Sequence, residues 1–198
     1  MATKRSAAKK SAKKPAKRSA RKAAPKRMAA KRAASNEKDL NDLFHDTLKD
    51  IYFAEKQILK ALPKMAKAAR SADLAAAFEK HYGETEGQVD RLEQVFGLID
   101  KPVKAKTCDA IMGILDEGKE IMTEYKGTEA LDAGLLAAAQ AVEHYEISRY
   151  GTLKAWAAKL GMKEAVRLLD ETLQQEHKTD EALTTLALGE VNSEALAA

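Results

Sequence analysis

The chain has 198 residues and a net charge of +4; 45% of its residues are hydrophobic, 5% are aromatic and one is a cysteine. This composition favours helices over a β-sheet, and the single cysteine excludes an intramolecular disulfide and is typical of a reducing compartment such as the cytoplasm. No apolar run approaches the roughly 18 residues that a membrane span needs, so we expect a soluble protein with no membrane partner.

The first 34 residues differ sharply in charge from the rest. They hold 14 of the 34 Lys and Arg residues and no acid, so the remaining chain carries 20 bases against 30 acids, a net charge of −10. Like-charge repulsion and the scarcity of large apolar residues predict that residues 1–34 form a disordered basic tail. The tail resembles the Lys- and Ala-rich tails of linker histones. It predicts DNA binding without sequence preference, because each cation on a phosphate releases a counterion. The predicted contacts are Lys9, Lys10, Lys13, Lys14, Lys17, Arg18, Arg21, Lys22, Lys26, Arg27, Lys31 and Arg32.

Two other interpretations of the basic tail stay open. Organelle-targeting peptides are also rich in Arg, Ser and Ala and free of acids, although lysine dominates here and no amphipathic apolar face is present. A spacer that only keeps the protein in solution would have the same composition. Association with the nucleoid is therefore an expectation that depends on the first interpretation.

Two long helices follow the tail. Ser35 or Asn36 is expected to cap a first helix that runs to about residue 70, and Pro63 predicts a kink or a local bend inside it. Ser71 is expected to cap a second helix that ends near residue 97. The tight connection at Ser71 predicts that the two helices form an antiparallel hairpin.

The second half of the chain repeats this design after a connection at residues 98–106. A shorter helix begins near Cys108 and is ended by Gly127, and Thr128 is expected to cap a fourth helix. Gly161 separates the fourth helix from a fifth, which is expected to stop at Gly189. We therefore predict an all-α, ferritin-like four-helix bundle at residues 35–190, made of two antiparallel hairpins with a short extra helix in the crossover. Residues 191–198 are expected to form a C-terminal tail.

Acidic residues interrupt the apolar stripes of all four long helices at matching distances from the turns. Glu55 and Glu84 lie 16 and 13 residues from Ser71, while Glu143 and Glu146 precede Gly161 by 18 and 15 residues and Glu176 follows it by 15. At about 1.5 Å per residue, these separations bring the acids to one level of the bundle. Buried carboxylates without partners cost several kcal/mol each, roughly, and a bound dication offsets that cost.

Four strings carry a more specific resemblance: DIYFAEKQILKALPKMA at 50–66, ETEGQVDRLEQVF at 84–96, AAAQAVEHYEISRYGTL at 137–153 and LLDETLQQEHKTDEALT at 168–184. They resemble the bacterial stress-protein family of YciE and YciF, formerly grouped as a domain of unknown function. The resemblance covers about residues 37–190 and implies a ferritin-like bundle, association into homodimers, induction under stress and a candidate dinuclear metal site.

The candidate metal ligands follow from the acids and from this resemblance. They are Glu55, His81, Glu84, Glu143, Glu146 and Glu176, and the candidate supporting residues are Tyr52, Gln88, Tyr150 and Asp180. Oxygen and imidazole ligands of this kind suit two iron or manganese ions. The chain departs from the usual ferritin-like pattern because it lacks Glu-x-x-His pairs and is poor in histidine. A metal-free polar network, in which Arg91, Arg149 or tyrosine hydroxyls satisfy the acids, is the alternative.

Two functions are compatible with the sequence. In the first, the bundle is an oxidase or peroxidase with two iron or manganese ions, and the tail holds it on DNA, where it protects against iron or peroxide stress. In the second, the protein is a non-enzymatic, nucleoid-associated dimer whose polar core binds no metal. Metal analysis of the purified protein separates the two.

Overall fold

The computed structural model describes residues 37–197, so the predicted basic tail at 1–34 lies outside the described residues. The described part contains helices and no strand: α1 (Leu40–Ala68), α2 (Ala72–Leu98), α3 (Asp109–Glu124), α4 (Ala130–Leu160), α5 (Lys163–Leu186), a π-helical turn (Ala187–Val191) and α6 (Asn192–Ala197). Among residues 37–197, no helix is both long enough and apolar enough to cross a bilayer.

Helix α1 begins with a capping box. The Asp39 carboxylate accepts hydrogen bonds from the backbone N–H groups of Asn41 and Asp42, and the Asp42 carboxylate accepts one from the backbone N–H of Asp39. These bonds satisfy N–H groups that the first helical turn leaves unpaired. The predicted caps, Ser35 and Asn36, lie outside the described residues, and Asp39 occupies the cap position instead. α1 is assigned as one helix through Pro63.

The predicted turn signals are confirmed at Ser71 and Gly161 but not at Thr128. Ser71 accepts a hydrogen bond from the backbone N–H of Leu74, and Gly161 ends α4 in the left-handed conformation with φ at 78°. α4 begins only at Ala130, with Glu129 at the cap position and no side-chain cap bond. The prediction of Thr128 as a cap was wrong because its hydroxyl donates backwards, to the Tyr125 carbonyl at 2.8 Å.

The helices pack as two antiparallel hairpins, α1 with α2 and α4 with α5. α1 also contacts α4, and α2 contacts α5, so the four long helices surround one core. α3 lies against α1 and α4, with Ile111 and Leu115 turned inward. It approaches α4 closely: a Cβ added at Gly134 would lie 2.6 Å from Ile121 Cγ2. The predicted ferritin-like bundle, with a short extra helix in the crossover, is confirmed.

The first hairpin is attached to the start of α4 by a buried acid that sequence reasoning missed. Asp132 accepts hydrogen bonds from the backbone N–H of Arg70 at 2.9 and 3.1 Å and from that of Ser71 at 2.6 Å. Its side chain is only 4% exposed. The contact closes the end of the bundle where α1 turns into α2 and holds that turn against α4.

The C-terminal end of α5 departs from the predicted stop at Gly189. The backbone N–H of Asn192 donates to the Ala187 carbonyl, five residues back, and the π-helical turn carries the chain through Gly189 into α6. In a regular α-helix Glu190, seven residues after buried Leu183, would lie on the core face. The extra residue of the π turn places Val191 there instead, 2% exposed, and leaves Glu190 exposed. Glycine permits a stop but does not impose one, so the stop prediction was wrong.

Candidate metal centre

The four long helices bring their polar residues together at one level of the core. His81 of α2, Glu143 and Glu146 of α4 and Glu176 of α5 are buried, and each offers a ligand atom within 4.8 Å of the others. Glu55 of α1 is fully buried beside them, and the carboxyl groups of Glu55 and Glu146 lie close enough to shift each other's pKa. The geometry therefore places one imidazole and four carboxylates in the interior of the bundle.

These side chains have too few hydrogen-bond partners for their burial. Within residues 37–197, neither carboxylate oxygen of Glu146 or Glu176 has a partner, and one oxygen each of Glu55 and Glu143 also lacks one. His81 Nε2 lies 3.2 Å from Glu143 Oε1 without the geometry of a hydrogen bond. Unpaired buried polar atoms are rare and costly in native proteins. The cluster thus requires either protons or a cation.

Burial shifts the pKa values of all of these groups toward their neutral forms. It raises the pKa of Glu55 to about 7 and that of Glu143 to about 8. Burial, reinforced by the neighbouring carboxylates, holds the pKa of Glu146 and of Glu176 well above the usual range. Burial lowers the pKa of His81 to about 4. Without a metal, carboxylates of the site are therefore protonated near neutral pH, and its histidine is neutral.

Glu55 is oriented by Tyr150. The fully buried Tyr150 hydroxyl donates a hydrogen bond to Glu55 Oε1, across 95 residues of sequence, and joins α4 to α1. This bond opposes the effect of burial on the pKa of Glu55. Tyr150, predicted as a supporting residue, therefore lies beside Glu55.

Glu84 lies at the edge of the cluster. Its Oε1 accepts a hydrogen bond from Lys80 Nζ at 2.7 Å, one turn earlier on α2, and its side chain is 25% exposed. Its Oε2 is buried and lacks a partner among the described residues, and its charge acts on His81, Glu143 and Glu176. The structure therefore does not bring Glu84 into the four-residue cluster, although its inner oxygen stays near it.

The remaining predicted supporting residues make contacts outside the cluster. Tyr52 donates to Glu93 at 2.8 Å and packs edge-on against Phe96, so within residues 37–197 its hydroxyl bonds to an acid outside the cluster. The Gln88 amide points to Gln175 at 3.5 Å, with its own oxygen buried and unpaired among the described residues.

Asp180 also makes its hydrogen bonds away from the cluster. It accepts a hydrogen bond from Gln140 at 3.0 Å and lies 3.3 Å from His144, yet its charge still raises the pKa of Glu143. Asp180 therefore acts on the cluster through its charge and makes no direct bond to it.

The arginines that a metal-free network would need are occupied elsewhere. Arg91 donates to Thr172 at 2.9 Å, to Glu171 at 3.2 Å and to Gln175, and Arg149 lies over the Tyr145 ring, 5.2 Å from its centre. Within the described residues neither arginine donates to the buried carboxylates. Thr172 and Gln175 were not predicted as functional residues, although both lie within four residues of Glu176 on α5.

The donor set fits a first-row transition metal. Buried carboxylate oxygens without partners can accept a cation, and one neutral imidazole adds a nitrogen ligand. Such a mixture is typical of iron or manganese sites, whereas sites for softer metals carry thiolates. The arrangement can therefore hold a metal ion in a buried, carboxylate-rich site.

Comparisons with known proteins agree with this architecture. The family model "Domain of unknown function (DUF892)" matches residues 39–196. Protein YciF of Escherichia coli strain K12 is 44% identical over 161 residues, which cover 81% of this chain and 97% of YciF.

Solved structures agree as well. The crystal structure of the E. coli stress protein YciF has a TM-score of 0.75 at 43% identity and covers 79% of this chain and 99% of its own. YcfI of Rhodopseudomonas palustris, described as a putative structural protein, has a TM-score of 0.74 at 43% identity and covers 77% of this chain and 97% of its own. A Xanthomonas campestris protein at 22% identity, with a TM-score of 0.60, covers 78% of this chain and 94% of its own and shares the fold.

Proposed function

The chain belongs to the DUF892 family, and from this premise we propose that it is a YciF-type stress protein whose bundle binds two iron or manganese ions. The observation that carries the proposal is the set of buried carboxylate oxygens without hydrogen-bond partners among the described residues. Each such oxygen costs stability unless it is protonated or paired with a cation. Iron and manganese match the oxygen-rich donor set.

One ion would be held by the four residues whose ligand atoms lie together: His81, Glu143, Glu146 and Glu176. The second would use Glu55, which adjoins Glu146, and Glu84, whose inner oxygen is buried and unpaired within residues 37–197. Binding would displace the protons that these carboxylates hold near neutral pH, so metal affinity rises with pH.

The proposed activity is that of an oxidase or peroxidase. Two bound Fe(II) or Mn(II) ions would supply one electron each, which with two protons convert hydrogen peroxide to two waters, or dioxygen to one hydrogen peroxide. The chain's own residues exclude bulk water from the site by burial and orient Glu55 through the Tyr150 hydroxyl. A stress role follows from the relationship to E. coli YciF, which is a stress protein.

The basic tail and the quaternary structure form a separate part of the proposal. The charge of residues 1–34 supports non-specific DNA binding and a position on the nucleoid, and the family resemblance supports a homodimer. A protein that removes peroxide or iron while bound to DNA would limit radical damage to that DNA.

Metal analysis tests the central claim. Purified protein reconstituted with Fe(II) or Mn(II) should retain close to two ions per chain. The double variant Glu143→Gln, Glu146→Gln should retain none, because it removes two of the four clustered ligands. Glu181→Gln, an exposed position five residues beyond Glu176 on α5, is the matched control and should bind as the unmodified protein does. A stoichiometry near zero would favour the non-enzymatic alternative with a metal-free polar core.

A further inference from the structure

Two adjoining cavities run from the surface of the bundle to the His81 edge of the candidate metal centre. We propose that they form the access route for a small uncharged oxidant, dioxygen or hydrogen peroxide. This inference rests on the proposed function, because it names the substrate class of the same site.

The outer cavity lies between α1, α3 and α4 and has a volume of about 130 Å³. Its walls are mostly apolar, with Met112, Ile114 and Met122 from α3. The exposed side chains of Lys60 and Lys119 line its mouth, so it opens to solvent. Its volume is close to that of an apolar cavity of about 150 Å³ that stays dry and takes up xenon or benzene.

The inner cavity has a volume of about 20 Å³ and is lined by His81 and Glu143. A space of that size holds one molecule about as large as water. Apart from these two residues and Thr179, its lining is hydrocarbon or thioether. A molecule that occupies it lies against the side chains of two residues of the candidate centre.

Four side chains line both cavities and separate them, and they define the neck of the proposed route. They are Ala61 and Met65 of α1, Leu115 of α3 and Val142 of α4. Leu115 belongs to the crossover helix, so the short helix that the bundle does not need for its four-helix core forms one wall of the route. Met65 is unbranched and can change rotamer, which allows a small molecule to pass.

The lining selects against ions. A charged species would lose its hydration between Met65, Leu115 and Val142 and gain no partner there. The mouth carries the cations of Lys60, Lys64 and Lys119, which repel a dication, although Lys119 is paired with Asp116 at 2.6 Å. The metal ions would therefore load by another path. Dioxygen, which is uncharged and apolar, fits both the size and the polarity of the route, and hydrogen peroxide, which is uncharged but polar, fits its size.

The first test blocks the neck. Ala61→Leu adds three carbons at the neck, and Ala137→Leu, at an exposed position of α4 that lines neither cavity, is the matched control. Xenon uptake by the metal-free protein, followed by ¹²⁹Xe NMR, should be lost in Ala61→Leu and kept in the control. After anaerobic Fe(II) loading, Ala61→Leu should retain the same metal stoichiometry but oxidise at least tenfold more slowly.

Dioxygen and hydrogen peroxide are supplied in separate experiments. If Ala61→Leu slows oxidation by one of them, that molecule uses the route; if it slows both, both do. If metal-loaded Ala61→Leu oxidises as fast as the unmodified protein with dioxygen and with hydrogen peroxide, the proposed access route is wrong, while the proposed metal centre is unaffected. Failure to retain metal in the unmodified protein would instead refute the proposed function.

A widening variant keeps the proposal testable if Ala61→Leu does not fold. Val142→Ala enlarges the neck, so it should speed oxidation by the bulkier tert-butyl hydroperoxide at least tenfold while changing the rate with hydrogen peroxide less than twofold. Equal effects on both peroxides would show that the neck does not select by size, and the proposal would be wrong.

Discussion

Removal of metal should make the stability of this protein fall as the pH rises. In the folded protein, burial raises the pKa of Glu143 from the ordinary value of 4.5 to about 8. A carboxyl group whose folded-state pKa is raised binds a proton that the unfolded chain has already lost, so the free energy of unfolding falls as the pH rises toward the folded pKa. For each such group, the free energy of unfolding falls by about 1.4 kcal/mol per pH unit in that range.

The effect of the buried carboxylates on stability is best measured between pH 6.5 and pH 9. The lowered pKa of buried His81, about 4, works in the opposite direction, but only below the ordinary histidine value of 6.5. Between pH 6.5 and the pKa of Glu143 near 8, the effect of this one group lowers the free energy of unfolding by roughly 2 kcal/mol. Glu146 and Glu176, whose pKa values burial and neighbouring carboxylates hold well above the usual range, add to this loss. For a domain of this size, 2 kcal/mol corresponds to about 4–8 °C in Tm.

Urea denaturation of chelator-treated protein at several pH values measures the effect. The free energy of unfolding should fall by at least about 2 kcal/mol from pH 6.5 to pH 9, and Mn(II) should reverse the trend because metal displaces protons more easily at high pH. The double variant Glu143→Gln, Glu146→Gln should show a flatter profile and no response to Mn(II). A metal-free stability that stays constant or rises over this window would refute the assignment of buried, protonated carboxylates.

Three further predictions concern the scaffold and the tail. Asp132→Ala should lower the free energy of unfolding by about 2–4 kcal/mol in urea denaturation, because it leaves two backbone N–H groups without their acceptor; an effect within 0.5 kcal/mol, roughly the scatter of surface substitutions, would contradict this. Gly134→Ala should be less stable than the control Gly151→Ala by about 1–3 kcal/mol, since only the former meets the Ile121 side chain; equal stabilities would show that Ile121 moves away freely. Deletion of residues 1–34 should abolish DNA binding, whose log K should fall with log salt with a slope of about −7 to −9 if roughly 8–10 cations engage phosphates, and a truncated protein that still binds DNA would exclude the tail as the anchor.

The helices and the level of the acids followed from the sequence because both depend on local rules. Ser71 and Gly161 fix the turns, and the constant rise of a helix then carries Glu55, Glu146 and Glu176 to the same height. This prediction needed no knowledge of how the side chains pack.

The fine orientation of the side chains did not follow from the sequence, because an apolar stripe is more than about 100° wide and several residues share it. Tyr52 lies three residues before Glu55 and falls at the edge of the stripe that meets α2, where Glu93 accepts its hydroxyl. Glu84 lies three residues after His81, and its carboxylate is oriented by a hydrogen bond from Lys80 at the surface. These side-chain orientations depend on hydrogen-bond partners in other helices or in neighbouring turns. The spacing of residues along the sequence does not identify those partners.

The π-helical turn at Ala187–Val191 makes the end of α5 tolerant of changes in length. A π-helical turn is equivalent to an α-helix with one residue inserted, so the chain here is one residue longer than a regular helix needs to bring Val191 into the core. Removal of Gly189, which is exposed and has nothing within 4 Å of an added Cβ, would restore a regular α-helix with Val191 in the same place. A gain or loss of one residue at this point therefore leaves the bundle packing unchanged, whereas a single deletion between Glu143 and Tyr150 would rotate candidate metal ligands out of the core.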